Sequence, residues 1–272
     1  MAFGEGGAKS GPGGGRRTSG GGGGPRRFSR GRKPPGAGGF RDSDKRDAPP
    51  KIWVPKTRLG REVLSGALKS FDEVLSTGIK IIEPEIIDYF FPELQVDFVM
   101  IGQSKGKFGG GSRRVYKNTQ KKVREGSRTK FSYIAVVGNG DGYIGVGKGS
   151  SRESLPAKET SIKAAKLAMI RILRACGSWE CGCGKPHSVP FQVDGKSSSV
   201  AVRFYPAPRG TGLVVHPEAK RILTIAGITD AWSKTLGETR NRINLSYAVF
   251  AALRKTNVLA VPAEFAEKWG LK

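Results

Sequence analysis

The sequence is poor in the side chains that most often carry out catalysis. Its 272 residues include only two histidines and three cysteines. Neither His187 nor His216 lies in a nucleophile-elbow or zinc-protease pattern. We therefore expect a protein that is not an enzyme and that needs no cofactor.

Disulfide frameworks and membrane spans are also disfavoured. The three cysteines are odd in number and lie within eight residues of one another, which favours a reducing, cytoplasmic compartment over secretion. No stretch approaches the roughly 18 apolar residues of a membrane span, and the N-terminus has no hydrophobic signal-peptide core. We expect a soluble chain without a membrane partner.

Acidic residues are scarce, with 23 against 47 basic residues and a net charge of +24. Residues 1–50 hold eleven basic and four acidic side chains, and residues 105–130 hold ten basic ones and a single acid, Glu125. An excess of this size opposes compaction unless a polyanion neutralises it. Nucleic acid is therefore the expected partner, and a merely soluble basic surface is the alternative.

Glycine dominates the start of the chain. Sixteen of the first forty residues are glycine, interspersed with arginine. Such a segment cannot offset the entropy cost of ordering, so residues 1–50 are predicted to be a disordered Gly/Arg-rich tail. An arginine-rich start is also typical of a mitochondrial transit peptide, but the glycines disfavour the amphipathic helix that such a peptide needs.

An N-terminal RNA-binding domain with a helical leader is predicted over residues 51–175. Apolar spacing predicts one helix over 64–79 and a short helix between Pro84 and Pro92. A strand over 96–100 is followed by the basic segment as a long loop or extended hairpin. The later elements are a hairpin (130–138 and 142–148) around Asn139-Gly140-Asp141-Gly142 and a helix (154–174).

Residues 176–188 are predicted to link this domain to a C-terminal domain and tail over 189–272. Strands at 189–193 and 199–205 are expected around a turn at Asp194-Gly195. Helices are expected at 217–226 and 241–253, the second burying Ile243, Tyr247, Phe250 and Leu253.

Two phosphate-binding motifs are nearly present in the second hairpin. Residues 140–145 match G-x-G-x-x-G, but they close a hairpin where no helix begins. Residues 142–149 resemble a P-loop, but Gly149 replaces the Ser or Thr that would hold magnesium. Turn chemistry is the better account of both.

One cluster could hold a metal ion. Cys176, Cys181, Cys183 and His187 offer four zinc ligands in a C-x4-C-x-C-x3-H spacing. The short C-x-C spacing differs from the arrangement of two zinc knuckles that is usual in such sites. The sequence therefore favours a linker with reduced, partly buried cysteines, in which His187 hydrogen-bonds locally. Zinc remains the alternative.

Several motifs together resemble one family. They are Gly126-Ser-Arg-Thr-Lys-Phe131, the glycine-rich hairpin, Lys185-Pro-His-Ser-Val-Pro-Phe191, Tyr205-Pro-Ala-Pro-Arg-Gly-Thr-Gly-Leu213, Leu223-Thr-Ile-Ala-Gly-Ile228 and Gly237-Glu-Thr-Arg240. In this order they resemble the universal ribosomal small-subunit protein five family, S-five in bacteria and S-two in eukaryotes. The Pro-Ala-Pro-Arg-Gly-Thr-Gly and Lys-Pro-His stretches are similar to the archaeal and eukaryotic branch.

The resemblance implies an α+β fold: a double-stranded-RNA-binding-like α/β domain followed by a left-handed β-α-β domain. It also implies contact with small-subunit rRNA near the point where messenger RNA enters, neighbours S-three, S-four and S-eight, and a role in translation accuracy on the cytoplasmic ribosome. The residues expected at RNA are Lys117, Lys121, Lys122, Arg124, Arg128, Lys130, Asn139, Lys148, Arg209, Gly210 and Gly212.

Two rival functions belong to other classes. A free RNA-binding or chaperone-like protein would use the same basic tail and loop. A small-molecule kinase is suggested only by the glycine-rich hairpin and the topology implied for the C-terminal domain. The hairpin motif lacks the Ser or Thr that would hold magnesium, and the metal-binding carboxylates that phosphoryl transfer needs are missing.

Overall fold

The computed structural model describes residues 53–104, 106–108, 110–258, 262 and 270. These residues have the predicted mixed α+β architecture, with helices packed on two larger sheets. The tail predicted to be disordered, 1–50, lies outside the described residues. The helices are α1 (Arg58–Leu64), α2 (Phe71–Ser76), α3 (Glu85–Phe90), α4 (Ser154–Leu167), α5 (Pro217–Ala226) and α6 (Arg242–Lys255). The strands are β1 (Gln95–Phe98), β2 (Gly102–Gln103), β3 (Arg113–Arg114), β4 (Lys117–Val123), β5 (Gly126–Gly138), β6 (Tyr143–Ser151), β7 (Ile170–Arg171), β8 (Val193–Ser197), β9 (Val200–Pro206), β10 (Leu213–Val214) and β11 (Ala231–Leu236).

The single helix predicted over 64–79 is wrong. The chain forms two short helices instead, since Gly66 adopts a left-handed φ of +75° after α1. α2 begins after Ser70, whose side chain forms a reciprocal capping box with Glu73. Such local start and stop signals outweigh an apolar spacing that runs across the break. α3 lies between two prolines, as predicted.

The first sheet has the order β1-β5-β6-β7, and β4 also pairs with β5. The predicted glycine-rich hairpin is confirmed, because β5 pairs antiparallel with β6. Of the two alternatives for the basic segment, its second half forms the extended hairpin, because β4 pairs antiparallel with β5. The helix predicted over 154–174 is too long: α4 ends at Leu167, and the chain returns to the sheet as β7. Ile172 then donates its backbone N–H to the Gly142 carbonyl at 2.8 Å. No glycine or proline between 168 and 174 marks this change in the sequence.

Alternate glycines of β6 let α4 lie directly on the sheet. A Cβ atom at Gly147 would lie 2.1 Å from the Ala165 backbone nitrogen, and Gly145 and Gly149 are similarly close to the helix backbone. Turn chemistry therefore explains only part of the near-motifs, since Gly140 and other turn residues close the hairpin while the strand glycines serve helix packing. Helix backbone covers the space that a phosphate would need.

The second sheet has the order β10-β11-β9-β8. The turn predicted at Asp194-Gly195 is wrong, because both residues lie within β8 and the chain turns at residues 198–199. Ser198 adopts a left-handed φ of 55° there. Gly195 instead gives α6 room, since a Cβ atom would lie 2.1 Å from the Ala248 carbonyl oxygen.

The two C-terminal helices are at their predicted places. α5 starts with Pro217 and ends before Gly227, which has a left-handed φ of 79°. It connects β10 to β11, which run parallel and form a β-α-β unit. α6 begins after its Asn241 cap, but its predicted buried side is only partly right. The buried residues are Leu245, Ser246, Ala248, Val249, Ala252 and Leu253.

Strand β5 is covered on both faces. Its Ile134 and Val136 belong to a buried cluster that also contains side chains of the second sheet, α5 and α6. Its Ala135 and Val137 belong to a second cluster with α1, α2 and α3. Because both faces of the strand are covered, its second half is a continuous run of apolar residues and does not alternate with polar ones. The boundaries of the predicted N-terminal domain, linker and C-terminal domain stay predictions.

Candidate RNA-binding surface

The β4–β5 hairpin extends beyond the rest of the first sheet. β6 pairs with β5 only from Phe131 onward, so residues 126–130 of β5 pair with β4 alone. All residues of β4 but the last are exposed. We call residues 117–130, which form this two-stranded projection, the basic ribbon.

Strand register gathers four cations on one face of the basic ribbon. Cα partners Lys121 and Arg128 lie directly opposite each other, and Thr119 lies opposite Lys130. Side chains alternate along a strand, so cross-strand partners and residues two apart share a face. The opposite face carries mostly neutral polar side chains. The cations of the shared face are Lys117, Lys121, Arg128 and Lys130.

Few of the positive charges on this face are neutralised by carboxylates of the protein itself. Glu125 in the turn is paired with Arg128, at 3.0 Å between Oε2 and Nη2, but both side chains are exposed and such a surface pair contributes little. Among the described residues, no carboxylate forms an ion pair with the lysines of the ribbon. Like charges directly opposite on neighbouring strands are destabilising. A polyanion in contact with this face would remove that cost.

A groove beside the N-terminus of α4 extends the charged surface. It has a volume of about 720 Å³ and includes Arg152, which sequence reasoning missed. The pairing of Phe131 with Ser151 brings Arg152 next to the ribbon, and only the strand register reveals this. The N-terminal end of a helix also favours anions. The groove is lined by Lys121, Arg128, Thr129, Lys130, Ser151, Arg152, Glu153 and Pro156.

Two aromatic rings, one exposed and one half-buried, lie next to other cations of the basic segment. Phe108 is 93% exposed, with the Lys107 ammonium 5.5 Å from its ring centroid. The Arg114 guanidinium lies 5.8 Å from the Tyr116 ring. Rings and guanidinium planes are surfaces on which unpaired bases stack. Sequence reasoning counted the charges here and missed the rings.

Two predicted contact residues lie away from the basic ribbon. Asn139 is at the opposite end of the 13-residue strand β5, about 40 Å from the ribbon tip at about 3.3 Å per residue. Its Oδ1 accepts the backbone N–H groups of Asp141 at 2.8 Å and Tyr143 at 3.2 Å, which stabilises the turn. Lys148 is exposed but stands in the apolar part of the sheet, opposite Ile134. Both stay predicted contacts without support from the ribbon geometry.

The turn that contains Asn139 faces inward. Gly140 donates its N–H to the Ile225 carbonyl at 3.1 Å. Arg174, whose side chain is 6% exposed, pairs with Asp141 and donates to the Gly227 carbonyl at 3.2 Å. This turn fastens the first sheet to the end of α5, which is a structural role.

The third predicted group lies in the loop after β9. Arg209 is exposed, and Gly210 and Gly212 adopt left-handed φ values of 93° and 72°. Both glycine N–H groups donate to Asp230 Oδ1, at 3.1 and 2.8 Å. Burial opposes ionisation of Asp230, but the hydrogen bonds from Gly212, Thr229 and Gly210, together with the nearby His187, outweigh it and lower the pKa of Asp230. The carboxylate thus holds the loop in a fixed shape and presents Arg209 outward.

The cysteine cluster adjoins this loop. The structure brings the four predicted ligand atoms of Cys176, Cys181, Cys183 and His187 within 4.8 Å of one another. The His187 ring has a local and a distant partner, since its Nε2 lies 3.8 Å from the Cys181 sulfur and its Nδ1 lies 3.0 Å from Asp230 Oδ2, 43 positions away. A hydrogen bond from the Arg209 backbone N–H is the largest of the effects that lower the pKa of Cys181 to about 6. Burial raises the pKa of Cys176 to about 11.

Comparison with known proteins matches two segments of the chain to one family. Residues 115–173 match the N-terminal domain of ribosomal protein S5, and residues 195–268 match its C-terminal domain. A Nanoarchaeum equitans protein named small ribosomal subunit protein uS5 is 47% identical over 211 residues, which cover 77% of this chain and 90% of the relative. An Aeropyrum pernix protein of the same name is 45% identical over 217 residues, 80% of this chain and 93% of the relative. In the described part of the chain, no helix has the length and apolarity to cross a bilayer.

Proposed function

Because the chain belongs to the ribosomal protein S5 family, we propose that the basic ribbon is the surface through which it contacts ribosomal RNA. The chain is a structural constituent of the small ribosomal subunit and not an enzyme. Within that role, its surface must provide places for RNA phosphates, and the ribbon offers an exposed face with four cations.

One observation carries this proposal: Lys121 and Arg128 face each other across two exposed strands. This arrangement costs stability in the free protein. It is favourable when phosphates lie against the face, because cations then replace condensed counterions. A-form RNA is recognised through its shape, phosphates and 2′-hydroxyl groups, and a projecting ribbon with four cations on one face fits such a backbone.

We further propose that the Arg209 loop is a second contact, with RNA or with a neighbouring protein. The support for this contact is that Arg209 is exposed, on a loop whose backbone N–H groups are hydrogen-bonded to Asp230. From the family resemblance we infer the finer setting: the cytoplasmic ribosome, neighbours S-three, S-four and S-eight, a position near incoming messenger RNA and a contribution to decoding accuracy.

The alternative is a free RNA-binding or chaperone-like protein, and sedimentation separates the two. In gradients of source-cell lysate at high salt, we expect the chain to sediment with small subunits, because a constituent is held by many contacts that screening does not remove together. A free RNA-binding protein relies on salt-sensitive phosphate contacts alone. Recovery of the chain only at the top of the high-salt gradient would contradict the ribosomal role.

A further inference from the structure

Residues 176–187 form a closed loop that contains every cysteine of the chain. An antiparallel bridge joins its ends, since Ala175 and Ser188 exchange backbone hydrogen bonds of 3.0 and 2.9 Å. The bridge places Cys176 beside His187, although they are eleven positions apart in the sequence. The fold therefore brings the two ends of this segment together, which the spacing of the cysteines in the sequence does not indicate.

Four potential ligand atoms converge at this loop. The three cysteine sulfurs and a ring nitrogen of His187 all lie within 4.8 Å of one another. In a tetrahedral zinc site with Zn–S distances of about 2.3 Å, neighbouring ligand atoms lie about 3.8 Å apart, so no pair must approach by more than about 1 Å. The Cys181 sulfur and His187 Nε2 are already 3.8 Å apart.

A buried carboxylate orients the histidine. His187 Nδ1 lies 3.0 Å from Asp230 Oδ2, and the two side chains are only 8% and 5% exposed. An ionised carboxylate can only accept, so Nδ1 carries a hydrogen, and in the neutral imidazole Nε2 then has the lone pair that a metal ion would bind. That nitrogen is the one beside the Cys181 sulfur. A carboxylate behind a histidine in this manner is typical of zinc sites.

We propose that the three cysteines and His187 bind one Zn²⁺ in a closed, four-ligand structural site. Thiolates and imidazole suit zinc, whereas magnesium and calcium prefer oxygen ligands and iron–sulfur clusters usually take four cysteines. Four protein ligands leave no open position for a substrate, which agrees with a structural role. This proposal replaces the linker without metal that the C-x-C spacing favours.

The same site fastens the Arg209 loop. Asp230 binds His187 through one carboxylate oxygen and the N–H groups of Gly210 and Gly212 through the other. Metal ligands and loop therefore share a hydrogen-bond network. The value of this link for RNA contact rests on the proposed function, whereas the metal site itself does not.

Metal analysis tests the proposal on the full chain, purified under reducing conditions without chelator. We expect about one zinc per chain, and loss of that zinc in Cys181→Ser and His187→Asn. The matched control is His216→Asn, because His216 is the other histidine, caps α5 through its ring nitrogen, and Asn also caps helices. Wild-type protein that contains no zinc after dialysis against zinc would overturn the proposal.

A second measurement avoids variants that fail to fold. Blocking the thiols of the wild-type chain with an organomercurial should release zinc to a chelating dye in step with thiol loss. Cobalt substitution should give the thiolate charge-transfer and d–d bands of tetrahedral cobalt. Thiols that react without zinc release, or a disulfide between two of the cysteines in the freshly purified chain, would contradict the site.

Asp230→Asn tests the carboxylate as a positioning residue. Removing a partner that orients a zinc-bound histidine typically weakens binding about 10- to 100-fold, so we expect that loss in competition with a chelating dye, with about one zinc still bound at saturation. Unchanged affinity would overturn this role of Asp230. These readouts do not involve RNA, so their failure would leave the ribbon proposal standing.

Discussion

Replacing the four cations that share the ribbon face with alanine should lower the salt dependence of RNA binding more than any equal loss of charge elsewhere. Each phosphate contact contributes nearly one unit to the slope of log affinity against log salt. The slope should therefore fall by up to about three to four units. Between about 50 and about 200 mM salt, the loss of affinity should shrink by roughly 100-fold. The variant changes Lys117, Lys121, Arg128 and Lys130.

The matched control removes the same charge from exposed positions outside the ribbon. It changes Arg61, Lys80, Lys163 and Lys220, which are exposed and distributed over the rest of the described surface. Both variants have the same net charge, so only position differs. The ribbon variant should also unfold at the same or a slightly higher temperature, because the opposed pair Lys121 and Arg128 is gone. Equal slopes for both variants would refute a dedicated phosphate-binding face.

Gly147→Ala should destabilise the fold severely although it adds a single methyl group. The new Cβ atom would lie 2.1 Å from the Ala165 nitrogen and 2.4 Å from the Ala164 carbonyl carbon, both of them helix backbone. Backbone cannot rotate away as a flexible side chain can, so α4 would have to separate from β6. We expect a loss of about 3 kcal/mol or more in the free energy of unfolding, measured by urea titration.

Gly182→Ala is the control for this substitution. Gly182 has no other atom within 4 Å of an added Cβ and no left-handed φ, so its change should stay within about 0.5 kcal/mol. If Gly147→Ala is as stable as the control, close approach of helix and strand is not what requires the glycine.

Local signals predict part of this fold well. The hairpin at residues 139–142 follows from Asn139 and glycines with positive φ, and α5 follows from Pro217 at its start and Gly227 after its end. Glycine leads to a wrong turn prediction where it is required for close packing between a helix and a strand. Gly195 sits within a strand because α6 lies on it, yet in sequence it looks the same as a turn glycine. The end of α4 likewise depends on an edge pairing that carries no local mark.

The candidate site likewise combines features that local sequence predicts with features that depend on tertiary structure. Sequence identifies the basic segment from its charge, but the shared face of Lys121 and Arg128 requires the register of β4 against β5. Arg152 joins the groove only through pairing of β5 with β6. The cysteine cluster is similar, since His187 reaches the sulfurs through the Ala175–Ser188 bridge. All three arrangements depend on backbone pairing between distant parts of the chain, which cannot be inferred from composition.

Crosslinking within intact small subunits tests the central claim most directly. Salt-washed subunits are irradiated with ultraviolet light, the protein and RNA are digested, and peptides that carry RNA are identified by mass spectrometry. The basic ribbon should provide the dominant rRNA-linked peptides, drawn from residues 117–130, with Arg152 as a neighbouring site. The account would be contradicted if rRNA crosslinks lay elsewhere on the chain while the lysines of the ribbon remained accessible to a lysine-modifying reagent in the intact subunit.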